Sequence, residues 1–237
     1  MSAGTILGFD TATPDVAVAV VRHGDVLAET LVAPAGRPRH ASELLPQIER
    51  AAAEAGGWDE IGAIAIGIGP GSFTGLRIGI ATARGLGQGL AKPLRGVGTL
   101  DALARGISRR PGAAGRPVLA VIDARRNQAF AALRDGAGAL VWEPFVAPPD
   151  ELAKRVAELP NAPLTGGDGS LRFRLDLERA GAEVLPDADP GHRLSARHTA
   201  ELAEGLPDAA PGEIRPIYLR PPDAQLWIER DRGHLGG

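Results

Sequence analysis

The sequence predicts an α/β protein of two similar domains, each a mixed five-stranded sheet with flanking helices. Short apolar runs alternate with helical patterns along the chain, which is typical of α/β folds. The order of elements at the start of the chain returns after residue 117. The 237 residues suffice for one large domain or two small ones.

The first domain is predicted to open with three strands. Apolar runs cover residues 5–9, 16–21 and 26–32, and the first of them ends at Asp10. The turns between the runs are short, and His23-Gly24-Asp25 is a hairpin turn. Three strands joined in this way form an antiparallel meander.

A helix is predicted over residues 40–55, after a loop with two prolines. Its apolar stripe includes Leu44 and Ile48, while Glu43 and Gln47 face outward. Gly56-Gly57 ends it. A buried strand then covers residues 61–68.

The most informative stretch is the glycine-rich helix that follows, predicted over residues 73–90. Residues 69–71 read Gly-Pro-Gly and force a turn, and Ser72 is a natural N-cap. Each glycine inside a helix costs about 1 kcal/mol relative to alanine, so this backbone is expected to approach something closely. One i, i+4 row holds Gly75, Gly79 and Ala83, flanked by Leu76, Ile80 and Leu86. Two interpretations stay open: the helix packs on its own sheet, or it forms a protein interface.

Two nucleotide-binding motifs fail at this turn. A P-loop needs a lysine followed by Ser or Thr after its last glycine, whereas Gly75 is followed by Leu76 and Arg77. The dinucleotide motif needs a third glycine where Thr74 stands.

A strand over 94–97 and a helix over 99–108 complete the first half. The Pro- and Gly-rich stretch 109–117 is predicted to be the domain boundary. Strands over 118–122, 128–133 and 140–146 then repeat the opening pattern, with Asp123 in the place of Asp10. We therefore predict an N-terminal domain over residues 1–110, a smaller degenerate copy over 111–192, and a segment, 193–237, that packs back on the first domain.

The rest of the second half alternates helix and strand. Helices are predicted over 150–158, from the turn at 166–170 to about 180, and over 197–204; strands are predicted over 163–165 and 182–185. The end of the chain beyond Arg220 is predicted to be mobile.

The composition of the chain excludes several classes of function. The net charge of −3 provides no global basic field for nucleic acid, and the absence of cysteine excludes disulfides and thiolate chemistry. There is no apolar stretch of about 18 residues and no basic leader, so we expect a cytoplasmic protein without a membrane span.

Residues 69–79, Gly-Pro-Gly-Ser-Phe-Thr-Gly-Leu-Arg-Ile-Gly, resemble the signature of the bacterial TsaB family, also called YeaZ. Further similarity lies in Asp10-Thr11, residues 40–46, residues 98–104 and, in the second half, residues 123–126, 166–169 and 218–220. The duplicated pattern is similar to the actin, sugar kinase and Hsp70 superfamily, and fold alone implies no activity.

The resemblance implies a non-catalytic subunit that pairs with TsaD, which threonylcarbamoylates the adenosine beside the anticodon of tRNAs reading codons that start with A. An ATPase, TsaE, joins the pair. The resemblance further implies a homodimer when the chain is alone, tRNA contact only through the complex, and no cofactor of its own, with ATP and a metal ion in the partner subunits.

We expect the helices over 40–55 and 73–90 to meet the matching pair in TsaD. The predicted partner-binding residues are His40, Leu44, Leu45, Ile48, Phe73, Gly75, Leu76, Gly79, Ile80 and Ala83. Asp10, Thr11 and Asp123 mark two degenerate nucleotide loops, which keep the aspartates but lack the following glycine. His40 lacks the second histidine of the TsaD metal pair, since Leu44 stands at i+4, so no metal site is predicted.

Two alternative functions stay open. The fold also suits an ATP-dependent small-molecule kinase or ATPase, and the other alternative is a peptidase that acts on TsaD. Arginines 109, 110, 116, 125 and 126 are either a solvated surface or contacts to tRNA phosphates.

Overall fold

The computed structural model describes residues 4–220, which form two five-stranded sheets with helices on their faces. The predicted mobility beyond Arg220 concerns residues that lie outside this range. No helix within residues 4–220 is long and apolar enough to cross a membrane.

The first half contains five strands and three α-helices. In chain order they are β1 (Thr5–Asp10), β2 (Val16–Arg22), β3 (Asp25–Val32), α1 (His40–Glu54), β4 (Ala63–Gly67), α2 (Phe73–Gly89), β5 (Leu94–Val97) and α3 (Thr99–Ser108). The strand order is β3-β2-β1-β4-β5, in which the β1–β2 and β2–β3 pairs are antiparallel and the β1–β4 and β4–β5 pairs are parallel. The strands and helices of this half confirm the predicted pattern.

The second half repeats this topology. Its elements are β6 (Val118–Arg125), β7 (Gln128–Arg134), β8 (Leu140–Ala147), α4 (Pro149–Ala157), β9 (Leu164–Gly166), α5 (Asp168–Arg172), α6 (Arg174–Arg179), β10 (Glu183–Val184) and α7 (Ala196–Ala203). Its strand order is β8-β7-β6-β9-β10, which matches the order β3-β2-β1-β4-β5 of the first sheet strand by strand, with the same parallel and antiparallel pairs. The duplication predicted from the sequence is therefore confirmed.

One predicted helix is divided in two. The sequence predicts a single helix up to about residue 180, whereas the chain forms α5 and α6 with Phe173 between them. Phe173 leaves helical geometry, with φ −107° and ψ 23°, and its buried ring packs with Leu177 against the second sheet. The Phe173 amide still donates to the Gly169 carbonyl at 3.0 Å, so α5 closes its last turn there before α6 begins at Arg174.

Both faces of the first sheet are covered. Leu7 and Phe9 of β1 pack into the cluster that contains Leu44 and Ile48 of α1. The opposite face meets α7: a Cβ at Gly8 would lie 2.8 Å from the Ala196 carbonyl oxygen. A third helix, α3, packs against β6 and α7, so one apolar cluster joins the two halves. The predicted boundary at residue 110 lies in the loop after α3, and the division into domains stays a prediction.

The chain after α7 returns to the first half. Ala209 exchanges backbone hydrogen bonds with Leu94 of β5, and the Ile214 side chain is buried in the core beneath α1 and α2. The Ile217 amide donates to the Ile68 carbonyl at 2.7 Å. We call residues 206–220 the strap, because they cross from the edge of the first sheet toward the second half.

Candidate partner surface and interdomain cleft

Asp10 is buried at the end of β1, where it organises the turn before α2. Its carboxylate accepts hydrogen bonds from the Ala12 amide at 2.7 Å and from the Thr99 hydroxyl at 2.9 Å. Room for it exists because residue 67 is glycine: a Cβ there would lie 1.7 Å from Asp10 Oδ2. Burial raises the pKa of Asp10 to about 6, although its hydrogen bonds act in the opposite direction.

The glycine row of α2 faces the chain's own first loop. The Thr11 hydroxyl donates to the Gly75 carbonyl at 2.8 Å. A Cβ at Gly75 would lie 1.9 Å from the Thr11 carbonyl oxygen, and one at Gly79 would lie 2.4 Å from Thr11 Oγ1. The close approach that these glycines allow is therefore made within the chain, between α2 and the turn after β1.

Most of the predicted partner-binding residues are not exposed in the isolated chain, and their role in a partner contact stays a prediction. Eight of the ten are buried inside the chain itself: His40, Leu44, Ile48, Gly75, Leu76, Gly79, Ile80 and Ala83. Leu76 and Ile80 cannot act as exposed anchors, since they fill the core of the first half. Of the predicted set, Leu45 is 45% exposed and Phe73 is half-buried at the surface.

His40 holds the start of α1 in place. Its Nε2 lies 2.9 Å from the Thr13 carbonyl and 3.2 Å from the Asp15 carbonyl, in the turn between β1 and β2. This nitrogen is engaged by backbone oxygens, which fits the expectation of a residue at the helix start.

The outward face of α2 carries a second row of small residues. Ala81, Gly85 and Gly89 are exposed and follow Arg77 at i+4 spacing. Among residues 4–220, a Cβ at Gly85 or Gly89 would meet no atom within 4 Å. Together with Leu45 of α1 they define what we call the outward face. The i+4 spacing is visible in the sequence, but an all-round apolar helix does not reveal which row its own sheet covers.

In both degenerate nucleotide loops, carboxylates of the chain accept hydrogen bonds from backbone amides. In the first loop, Asp10 accepts a hydrogen bond from the Ala12 amide. In the second, Asp123 accepts from the Arg125 amide at 2.9 Å, and Asp168 accepts from the Asp123 amide at 3.0 Å. Burial, and secondarily the Asp123 charge, raise the pKa of Asp168, whereas its hydrogen bonds lower it. One amide of the first loop and two of the second are thus already paired with carboxyl groups of the chain.

A cleft of about 460 Å³ separates the halves at these loops. It is lined mainly by residues 12–14, 71–74, 122–125 and 217–220. The hairpin turn beside it is unusual, because three successive residues, Arg125, Arg126 and Asn127, have positive φ between 51° and 61°. Such conformations are uncommon for residues other than glycine and concentrate at functional sites.

The sequence interpretation missed several residues of this region. Thr99 links Asp10 to the Gly69 amide, Asp168 closes the second loop, and Tyr218 lies at the mouth of the cleft. All three lie in stretches that resemble family motifs, but each is far in sequence from the loop that it completes, so those stretches do not reveal these contacts.

The fold defines the class of protein. A hexokinase of the ROK family from Thermus thermophilus, 16% identical, covers 84% of this chain and 99% of its own with a TM-score of 0.51. The chain therefore has the duplicated fold of the actin, sugar kinase and Hsp70 superfamily, as predicted.

More specific similarity names the family. The family model of TsaD, tRNA N6-adenosine threonylcarbamoyltransferase, matches residues 32–159. The tRNA threonylcarbamoyladenosine biosynthesis protein TsaB of Escherichia coli (strain K12) is 36% identical over 226 residues, which cover 91% of this chain and 94% of that protein. TsaB of Bacillus subtilis (strain 168) is 28% identical over 237 residues, 96% and 100% of the two chains. The chain belongs to the TsaB family, and it takes part in the biosynthesis of threonylcarbamoyladenosine in tRNA.

A solved structure supports the same family. A Pseudomonas aeruginosa protein, described as uncharacterised with similarity to peptidase YEAZ, is 28% identical, has a TM-score of 0.74 and covers 92% of this chain and 100% of its own.

Proposed function

We propose that this chain is a non-catalytic subunit that pairs with TsaD, and with TsaE, for threonylcarbamoylation of the adenosine next to the anticodon. The observation that carries this proposal is the state of the two loops. Three of their backbone amides, those of Ala12, Asp123 and Arg125, already donate to the carboxylates of Asp10, Asp168 and Asp123 and are not available to a phosphate. A kinase or ATPase of this fold needs those amides for phosphate, so ATP and a metal ion are proposed to bind in the partner subunits.

Peptidase activity has little support in the geometry. Ser170 and His192 form a serine–histidine pair, with Ser170 Oγ 3.1 Å from His192 Nδ1. Both side chains are buried, and the Ser170 hydroxyl also contacts the Gly167 carbonyl at 2.7 Å. The other ring nitrogen faces the backbone carbonyl of Leu185 at 3.0 Å and not a carboxylate, so this pair lacks the orienting acid and the access of a hydrolytic triad.

The surface proposed for TsaD is the outward face of α1 and α2. Small residues on one helix let a second helix approach closely, and the exposed Ala81, Gly85 and Gly89 supply such a row. Leu45 of α1 is exposed as well and is proposed to supply an apolar contact. In the absence of TsaD the same face is proposed to support a homodimer.

The test compares two alanines that are both exposed on helices. Ala81→Arg places a long charged side chain in the proposed contact, while Ala157→Arg places the same side chain at the end of α4 in the other half. Light scattering on a sizing column would follow each variant mixed with TsaD from the same source. We expect the wild type and Ala157→Arg to form a one-to-one complex and Ala81→Arg to lose it.

Two outcomes would contradict the proposal. If Ala81→Arg stays folded and pairs as well as Ala157→Arg, the outward face is not the contact. If the isolated chain binds ATP with magnesium tightly, the loops are functional and the kinase alternative replaces the scaffold. A substitution at Gly79 would not serve as a test, because its Cβ would clash within the chain.

A further inference from the structure

Three arginines share a single carboxylate where α3 and α7 meet. The Arg109 guanidinium donates to Glu201 Oε1 at 2.7 Å, and Arg197 Nε lies 3.9 Å from the same oxygen. Arg105 Nε lies 3.8 Å from the other oxygen, Glu201 Oε2. Within residues 4–220 these three arginines form no ion pair with any other carboxylate, so one negative charge is shared by three positive ones.

The arginines are accessible, whereas the carboxylate is covered. The side chains of Arg105, Arg109 and Arg197 are 48%, 39% and 36% exposed, and that of Glu201 is 8% exposed. At its distance from Glu201 the Arg105 guanidinium makes no hydrogen bond, and the same holds for Arg197, whose Nε has no acceptor among the described residues. Two of the three guanidinium groups therefore keep donors that the chain does not use.

The guanidinium groups are close enough to hold one anion together. The nitrogens of Arg109 and Arg197 that face Glu201 Oε1 lie within about 7 Å of each other, because both are near the same oxygen. A tetrahedral phosphate can bridge such a span with two charge-assisted hydrogen bonds of about 2.8 Å.

The other titratable groups nearby leave positive charge in excess. His198 is buried with Nδ1 3.2 Å from Glu201 Oε2, and burial lowers its pKa, so the imidazole is neutral at neutral pH. Asp101, earlier on α3, is bound by Arg134 at 2.6 Å. Glu204, at the end of α7, is exposed and forms no ion pair within the described residues. Even with Glu204 counted, three arginines oppose two acids.

Other arginines flagged by the sequence are matched one to one. Arg110 pairs with Asp189 at 2.8 Å and Arg116 pairs with Glu183 at 2.8 Å, and neither of these acids pairs with a second arginine in the described part of the chain. Arg109, by contrast, belongs to the group of three. The structure thus separates it from neighbours that the sequence places beside it.

We propose that Arg105, Arg109 and Arg197 bind backbone phosphates of double-stranded RNA. The guanidinium fork matches the geometry of phosphate, and phosphate contacts of this kind position an RNA without reading its sequence. Neither α3 nor α7 contains an aromatic residue, so the cluster offers phosphate contacts but no platform on which unpaired bases could stack. The proposal goes beyond the expectation that tRNA is contacted only through the complex.

The arginine cluster does not overlap the surface proposed for TsaD. The helix α7 packs on the face of the first sheet that Gly8 presents, whereas α1 packs on the opposite face, where Leu7 and Phe9 lie. RNA bound at α3 and α7 would therefore leave the outward face of α1 and α2 free for a partner.

The experiment measures fluorescence anisotropy of a labelled RNA duplex of about 16 base pairs with the isolated full chain, over a series of salt concentrations. We expect a Kd of roughly 1–100 µM at physiological salt, and a slope of log K against log salt of about −2 to −3, as for two or three neutralised phosphates. Arg105→Gln should weaken binding about fivefold and reduce the slope by about 0.9, the effect of one lost phosphate contact. Its fold should be retained, because the Arg105 side chain is exposed and makes no hydrogen bond.

Arg155→Gln is the matched control. Arg155 lies in the last turn of α4, as Arg105 lies in the last turn of α3, and its side chain is 44% exposed. It pairs with Glu151 at 2.9 Å, outside the arginine cluster, so this variant should bind the duplex like the wild type.

Several results would overturn the proposal. One is absence of duplex binding at low salt, and another is equal binding by Arg105→Gln and Arg155→Gln, which would leave the cluster a structural ion network only. Displacement by polyglutamate as effective as by unlabelled duplex would assign the arginines to an acidic protein segment. Displacement by micromolar tripolyphosphate would assign them to a free phosphate ligand. TsaD is absent from every measurement, so this proposal and the proposed pairing fail separately.

Discussion

Two glycines of α2 provide a strict test of how this helix is packed. Gly75 faces the turn after β1, whereas Gly85, about 80° away around the same helix, is exposed to solvent. Substituting alanine at either position adds one methyl group to a helix interior. Intrinsic propensity favours both changes by about 1 kcal/mol. The surroundings of the added methyl group therefore decide the result.

The two substitutions are expected to change the free energy of unfolding in opposite directions. At Gly75 the new Cβ would lie 1.9 Å from the Thr11 carbonyl oxygen, so α2 or the turn must move by more than an ångström. That movement forces overpacking, which costs about 1–3 kcal/mol, and it strains the Thr11–Gly75 hydrogen bond, worth about 0.5–1.5 kcal/mol. After the propensity gain, Gly75→Ala should destabilise the protein by roughly 0.5–3.5 kcal/mol. Gly85→Ala should stabilise it by about 1 kcal/mol.

Thermal unfolding followed by circular dichroism would separate the two variants. For a chain of this size each kcal/mol shifts Tm by about 2–4 °C, so the two midpoints should differ by roughly 3–18 °C. Urea unfolding would give the same order with unchanged m-values. If Gly75→Ala is as stable as Gly85→Ala, the glycine row does not face Thr11, and the burial that removed it from the partner surface is wrong.

The remaining predictions concern Asp10 and the strap. The pKa of Asp10 is raised from its ordinary 3.8 to about 6, so the folded state retains a proton that the unfolded state releases. The free energy of unfolding of the wild type should therefore fall by about 3 kcal/mol relative to that of Asp10→Asn as the pH rises from below 4 to 7. Urea unfolding of both proteins would measure this difference. A difference that stays constant with pH would contradict the raised pKa of Asp10. Ile214→Ala should destabilise the protein by about 2–4 kcal/mol because Ile214 is buried in the core. Leu175→Ala, at 66% exposed, should change stability by less than about 0.5 kcal/mol in the same assay.

Periodicity alone determined most of the architecture. Strands such as β1 and β4 are short continuous apolar runs, and helices such as α1 carry an apolar stripe at helical spacing, so each has a local signal. The return of the strand–Asp–turn–strand pattern at Asp123 predicted the duplication. The motif at residues 69–79 identified the family, because its residues are contiguous.

The tertiary structure alone decided which face of α2 is buried. A helix that is apolar around its circumference offers two equivalent rows of small residues, and only the position of the Thr11 turn selects Gly75 and Gly79 for the inside. It also decided the composition of the cleft, where Tyr218 reaches Phe73 across a separation of 145 positions in the sequence. Contacts of this kind depend on how distant parts of the chain pack together in the folded protein, and a local sequence pattern does not specify that packing.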